Sequence, residues 1–133
     1  MRLKVLVWLV VFALLSGTSF SSVAQADEVV YVPLQPAFVT NYGGPGRLKY
    51  LKVDITLMVS APRAQQALEL HMPLVRNTIV LSLARQTDNN VSSTSGQERI
   101  RRQLLQDLQE TLERNLEHPI VDEVLFTNFI YQN

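Results

Sequence analysis

The chain has 133 residues, with twelve basic and twelve acidic side chains and a formal charge of zero. That balance leaves no basic surplus for nucleic acid or an anionic lipid surface. It contains no cysteine, which excludes a disulfide framework and a lipidated cysteine, so an exported domain must rely on its core.

Arg2 and Lys4 precede an unbroken apolar run from Val5 to Leu15, a small polar stretch, and Ala24-Gln25-Ala26. This is the layout of a secretory signal peptide with a cleavage site before Asp27. The run is shorter than the roughly 20 apolar residues that a spanning helix needs. The alternative is an uncleaved signal anchor, because no charge falls between Val5 and Ala26. Both readings place residues 27–133 outside the cytoplasm as one domain, and the cleaved form carries a charge of about −2.

Val29 to Leu34 reads as a first strand. Pro33 cannot donate to a ladder and marks an edge or a break, and Pro36 to Val39 continues the strand after a kink. Asn41 to Gly46 is a dense turn signal. Tyr50 to Ser60 alternates: Leu51, Val53, Ile55, Leu57 and Val59 share one face, and Lys52, Asp54 and Thr56 the other. The two strands form a hairpin over the glycine loop.

Pro62 opens a helix through His71. A second helix, Leu74 to Gln86, is apolar nearly all round and is expected to be largely buried. Thr87 to Ser93 reads as a polar loop. The third helix opens on a capping box, Thr94 with Gln97 or Ser95 with Glu98. Its stripe is Ile100, Leu104, Leu105, Leu108, Leu112 and Leu116, and Glu98–Arg102 and Glu110–Arg114 are expected ion pairs. Pro119 ends it. Val121 to Tyr131 is a final strand with large apolar residues on both faces, expected inside the sheet. The fold class is α+β: a small mixed or antiparallel sheet of three to four strands with helices on one face.

Chemistry-bearing residues are sparse. Gly43-Gly-Pro-Gly46 leads into a strand, so it reads as a hairpin turn and not a phosphate cradle. His71 and His118 are the two histidines and lack the spacing of metal ligands. Asp122 and Glu123 are adjacent on a strand and point to opposite faces, which does not suit paired acid–base work. Ser82, Ser92, Ser93 and Ser95 have no nucleophile-elbow setting. The inventory points to no catalytic residue, no cofactor and no metal. Arg99, Arg101 and Arg102 form a basic cluster on the third helix, which reads first as a solvated face paired with nearby acids and second as a contact for an acidic patch on a neighbouring subunit. Its charged face, with Arg99, Arg101 and Glu113, is the candidate subunit interface.

Five segments, in order along the chain, match the pattern of one known family. Tyr31 to Asn41 is similar to the family's opening Y-x-x-L-x-P-F-x-V-N, with Ala37 as an extra residue, and Arg47 to Val53 to its R-Y-L-x-V strand. Leu70 to Val80 resembles H-x-P-x-I-R-x-x-I-I, and Ser93 to Arg101 the L-x-S-x-x-G-x-x-x-L-R turn into a long helix. Val124 to Gln132 resembles the terminal V-Y-F-T-x-F-V-x-Q. In these five segments the chain resembles the FliL family of flagellar basal body-associated proteins. Against the family's usual short cytoplasmic tail, full membrane helix and linker, the expected tail is four residues, the apolar run is short and the linker is nearly absent.

The resemblance implies a stomatin-like domain at the periplasmic face of the inner membrane. It implies a non-enzymatic protein that assembles into a homo-oligomeric ring, associates with stator units at the basal body, and supports torque and swimming or swarming. The alternative from the residues is a periplasmic peptide- or ligand-binding adaptor unrelated to the flagellum, using the edge of the proline-containing strand.

Overall fold

The computed structural model describes residues 28–60 and 62–132, so the expected signal segment lies outside the described residues. Two long strands open the fold. β1 (Val29–Tyr42) and β2 (Lys49–Ser60) pair antiparallel from Val29 opposite Ser60 to Tyr42 opposite Lys49. The hairpin loop needs positive φ, and Gly43, Gly44 and Gly46 supply it at 91°, 77° and 125°. The Gly43 N–H donates to the Gln86 carbonyl at 3.1 Å, tying the loop to the helical layer.

The expected kink in β1 is a register shift between Leu34 and Phe38. Gln35, Pro36 and Ala37 absorb it, so Leu34 opposite Ile55 and Phe38 opposite Val53 both face the core. Arg76 secures the irregularity from the helical side. Its Nη2 donates to the Pro36 carbonyl at 2.8 Å, and its guanidinium lies 4.2 Å from the centre of the Phe38 ring.

β3 (Glu123–Gln132) pairs antiparallel with β2 and completes a sheet of order β1-β2-β3. The final strand is therefore at the edge, not inside as expected. β2 already holds β1 on one side, so β3 takes its remaining side, and no further strand among the described residues covers it. Its apolar residues on both faces reflect partial exposure, not two-sided burial. A register shift opposite Asp54 and Ile55 leaves Thr127 as an extra residue. Past that bulge the alternation inverts. Val124 and Phe126 before it, and Phe129 and Tyr131 after it, all fall on the side of β2's apolar row. Phe126 and Phe129 pack with ring centres 5.4 Å apart.

The helices lie on that same side. α1 (Pro62–Leu70) buries Leu68, and α2 (Met72–Ala84) buries Val75, Ile79 and Leu83. Val80 and Leu81 of α2 are exposed, so this helix is buried along one stripe and not all round. The reason is the two-layer design: one face meets the sheet and the long helix that follows in the chain, and the other meets solvent. The polar segment after α2 contains a single helical turn, α3 (Asp88–Val91), where a loop was expected. Asp88 pairs there with Lys49 at the start of β2.

α4 (Thr94–Leu116) carries Ile100, Leu104, Leu108 and Leu112 at full burial, with Leu105 and Leu116 packed at the margin. Its cap is Ser93, whose Oγ accepts from the Gly96 N–H at 3.0 Å. The expected capping boxes are displaced by one or two residues, because Ser93 is extended and Thr94 and Ser95 are already helical. Glu98–Arg102 forms at 3.6 Å, whereas Arg114 donates to Thr111 at 3.3 Å in place of the expected pairing with Glu110. Glu117 closes the helix at φ 64°, returning its N–H to the Glu113 carbonyl.

Gly96 is the closest approach between α3 and α4. A Cβ there would stand 2.2 Å from the Asn90 carbonyl oxygen and 2.5 Å from its Cα, both backbone atoms. Gly96→Ala should therefore destabilise the fold by about 1–3 kcal/mol despite the gain in helix propensity, while exposed Ser95→Ala stays within about 0.5 kcal/mol. Urea denaturation midpoints of the two variants check this; equal midpoints would remove the close approach as the reason for the glycine.

Candidate assembly surface

The exposed side of α4 follows from its pattern, since the leucine stripe faces the sheet and the charged residues face out. Arg99 and Glu113 stand fourteen positions apart in the chain. At about 100° per residue they return to nearly the same face, roughly 21 Å apart along the axis. Arg101 is about 200° of rotation from Arg99 and lies on another face. The fold therefore brings Arg99 and Glu113 onto one surface and turns Arg101 away from it.

Arg101 is committed inside the molecule. Its Nε donates to Glu98 Oε2 at 2.8 Å and its Nη2 to Glu98 Oε1 at 2.6 Å, a bidentate pair within the helix. Its Nη1 pairs with the Glu123 carboxylate and donates to the Val124 carbonyl at 3.3 Å. One guanidinium thus ties the first turns of α4 to the start of β3. The hydrogen bond from Arg101 holds the Glu98 carboxyl below the usual glutamate range, with the charges of Arg101 and Arg102 acting the same way. Hydrogen bonding to Glu98, against a desolvation cost and with the Glu123 charge in support, holds Arg101 charged beyond its ordinary range.

Arg99 is exposed and donates to Asn90 Oδ1 from Nη2 at 3.1 Å, linking α4 to α3. Glu113 is exposed and, among the described residues, makes no side-chain hydrogen bond or ion pair.

Two grooves flank this surface. One of about 410 Å³ runs between α2 and α4, walled by Leu74, Leu81, Glu110 and Arg114 and crossed by the Arg85–Asp107 ion pair at 3.0 Å. The other, about 450 Å³, lies between α1 and the end of α4, lined by Arg63, Ala64, Ala67, Leu116, His118 and Ile120. Ile120 has φ 39°, an unusual value for a β-branched residue, in the tight turn after Pro119. His71 precedes α2 with its Nδ1 2.8 Å from the Ala67 carbonyl oxygen, and His118 is exposed beyond the end of α4. Among the described residues no group of three or more His, Cys, Asp or Glu converges to hold a metal, and no helix is long and apolar enough to cross a membrane. The opposite face of the sheet is uncovered: Tyr31, Val39, Tyr50 and Ile130 are exposed there.

What the residue pattern missed was the partner of Arg101. Glu123 is 22 positions away, and only the return of β3 beside the first turns of α4 brings it into reach.

The family model of the flagellar basal body-associated protein FliL matches residues 31–132. The chain is also 26% identical over 110 residues to a flagellar protein FliL of Aquifex aeolicus (strain VF5), spanning 83% of this chain and 66% of that relative, just under two thirds of its length.

The clamp has two measurable signatures. Arg101→Gln should lower stability by about 1 kcal/mol, and Arg99→Gln by less than about 0.5 kcal/mol, because Arg101 joins two elements while Arg99 is at the surface. Glu98 has a folded pKa below its unfolded value, so its contribution is present above the ordinary glutamate value of 4.5 and is lost as pH falls through the folded value. Wild type should therefore lose more stability than Glu98→Gln between about pH 7 and about pH 3. Parallel denaturation curves for the two proteins across that range would show that the pair contributes nothing.

Proposed function

Because the chain belongs to the FliL family of flagellar basal body-associated proteins, we propose that it is a non-enzymatic accessory of the flagellar motor, acting at the periplasmic face of the inner membrane. In this reading it forms a homo-oligomeric ring that encloses stator units and supports torque, swimming and swarming. The observation that carries it is the extent of the family match: residues 31–132 include nearly all of the described fold. Among the described residues no group of three or more His, Cys, Asp or Glu converges to compete with an assembly role. The N-terminal segment directs export, with cleavage before Asp27 as the processing step, so the native protein's mass should correspond to a chain starting at Asp27.

The ring contact uses the outward face of α4. Arg99 and Glu113 have opposite signs and stand near opposite ends of that face, as a head-to-tail contact between identical copies requires. Arg101 contributes by holding α4 against β3, so that the face is presented at a fixed angle.

Deletion should impair swimming and swarming under load without removing filaments, and the protein should co-purify with basal bodies. Normal motility of a strain lacking this protein and any paralogue would overturn the motor assignment. At the interface, Arg99→Glu or Glu113→Lys alone should weaken assembly several-fold, with melting temperatures unchanged, and the double exchange should restore it. Sedimentation analysis of the four proteins reads this out; single variants that assemble like wild type would move the contact elsewhere.

A further inference from the structure

The two edges of the sheet are unequal. β1 presents Pro33 and Pro36, which have no N–H, and a register shift between Leu34 and Phe38. These features block regular pairing with an added strand. On β3, Arg101 and Glu123 occupy only the first two residues. From Val124 to Gln132 it has no charge, no proline and no glycine, so the usual protections of an edge strand are missing apart from the Thr127 bulge.

We propose that β3 is a second self-association surface, on which two copies pair antiparallel about a two-fold axis through Ile130. The inference goes beyond the motor reading and requires only a second copy of this chain. The bulge limits the register to axes beyond Phe129, and the longer overlap among the described residues selects Ile130 over Tyr131. In a two-fold antiparallel pair, directly opposite residues must share a face of the sheet. With the axis at Ile130, Phe129 meets the partner's Tyr131 on the helix side, and Ile130 meets its own counterpart on the open side. Asn128 meets the partner's Gln132 there as well. All five residues after the bulge match. Moving the axis to Asn128 sets Phe126, on the helix side, against Ile130, on the open side. Moving it to Phe129 sets Phe126 against Gln132, again from opposite sides.

Exposure supports the same register. Ile130 is 51% exposed and Tyr131 38% exposed, both at the uncovered margin of the sheet. Electrostatics does not oppose it. The nearest like charge beside the axis is Lys52, paired with Ile130 on β2. Lys52 and its counterpart would be separated by three strand spacings, about 14 Å, which is beyond a Debye length of about 8 Å at physiological salt. Head-to-tail pairing of β3 with β1 is disfavoured by the two prolines, so the geometry selects a closed two-fold contact.

The absence of cysteine makes the test direct. In the full chain, Ile130→Cys places two thiols across the axis at about 4.5–5.5 Å between Cα atoms. Mild oxidation should convert most of that variant to a disulfide dimer. Leu125→Cys on the same strand and Tyr31→Cys at the other edge should crosslink at least tenfold less. Ile130→Lys sets two ammonium groups on the axis and should weaken dimerisation at least tenfold, while the circular dichroism melt remains that of wild type. Crosslinking of Ile130→Cys no greater than that of Tyr31→Cys would overturn the proposal. So would unchanged self-association of Ile130→Lys. Either result would leave the motility phenotype of the deletion untouched.

Discussion

Leu51, Val53, Ile55, Leu57 and Val59 of β2 are buried to within 1% of completeness, and every other element takes its position from that row. Burying one such side chain is worth about 1.5–3 kcal/mol, so this single strand supplies a large share of the domain's core. β1 and β3 flank it, α2 and α4 cover it, and the stripe of Ile100, Leu104, Leu108 and Leu112 is its complement. Because β2 alternates strictly, covering one face leaves the other to solvent. The open sheet face with Tyr31, Val39 and Tyr50 follows from the same pattern that builds the core.

Features carried by local pattern were legible in the chain. The alternation of β2 identified its buried face residue by residue, the glycine cluster identified the hairpin, and the leucine spacing identified α4. What was not legible depends on contacts between distant segments. The edge position of β3 is set by which side of β2 is left, a topological fact with no local signature. Its inverted alternation past Thr127 is a bulge, which a strict period of two reads as apolar residues on both faces. The exposed Leu81 shows the same limit: composition suggested all-round burial for α2, whereas a two-layer fold has room for only one stripe. The α4 face was legible in part. Arg99 and Glu113 share it by helical arithmetic, but the commitment of Arg101 to Glu123 required the fold.

The clamp changes the meaning of the basic cluster. Three arginines within four positions suggest a patch for an acidic partner, yet one joins α4 to β3, one links α4 to α3, and Arg102 lies 3.6 Å from Glu98. Gly96 serves the same end, since it lets α4 start against the backbone of α3. These interactions fix the start of α4 against both β3 and α3. Surface charge at this end of α4 is organised around the fold.

The pairing of β2 with β3 also has a kinetic side. β1 and β2 meet across a short loop and can zip locally, while β3 reaches β2 from positions such as Thr127 and Asp54, 73 residues apart. Non-local pairing carries the larger loop-closure cost and forms late. A β1–β2 hairpin without β3 would leave β2 unpaired along one side, displaying alternate backbone donors and acceptors beside a fully apolar row. That side of β2 carries Lys52 and Asp54 on its outward face, where charge discourages a foreign strand from docking before β3 arrives. Lys52 is exposed and Asp54 half-buried in the finished sheet, so both charges stay outside the core whose assembly they protect.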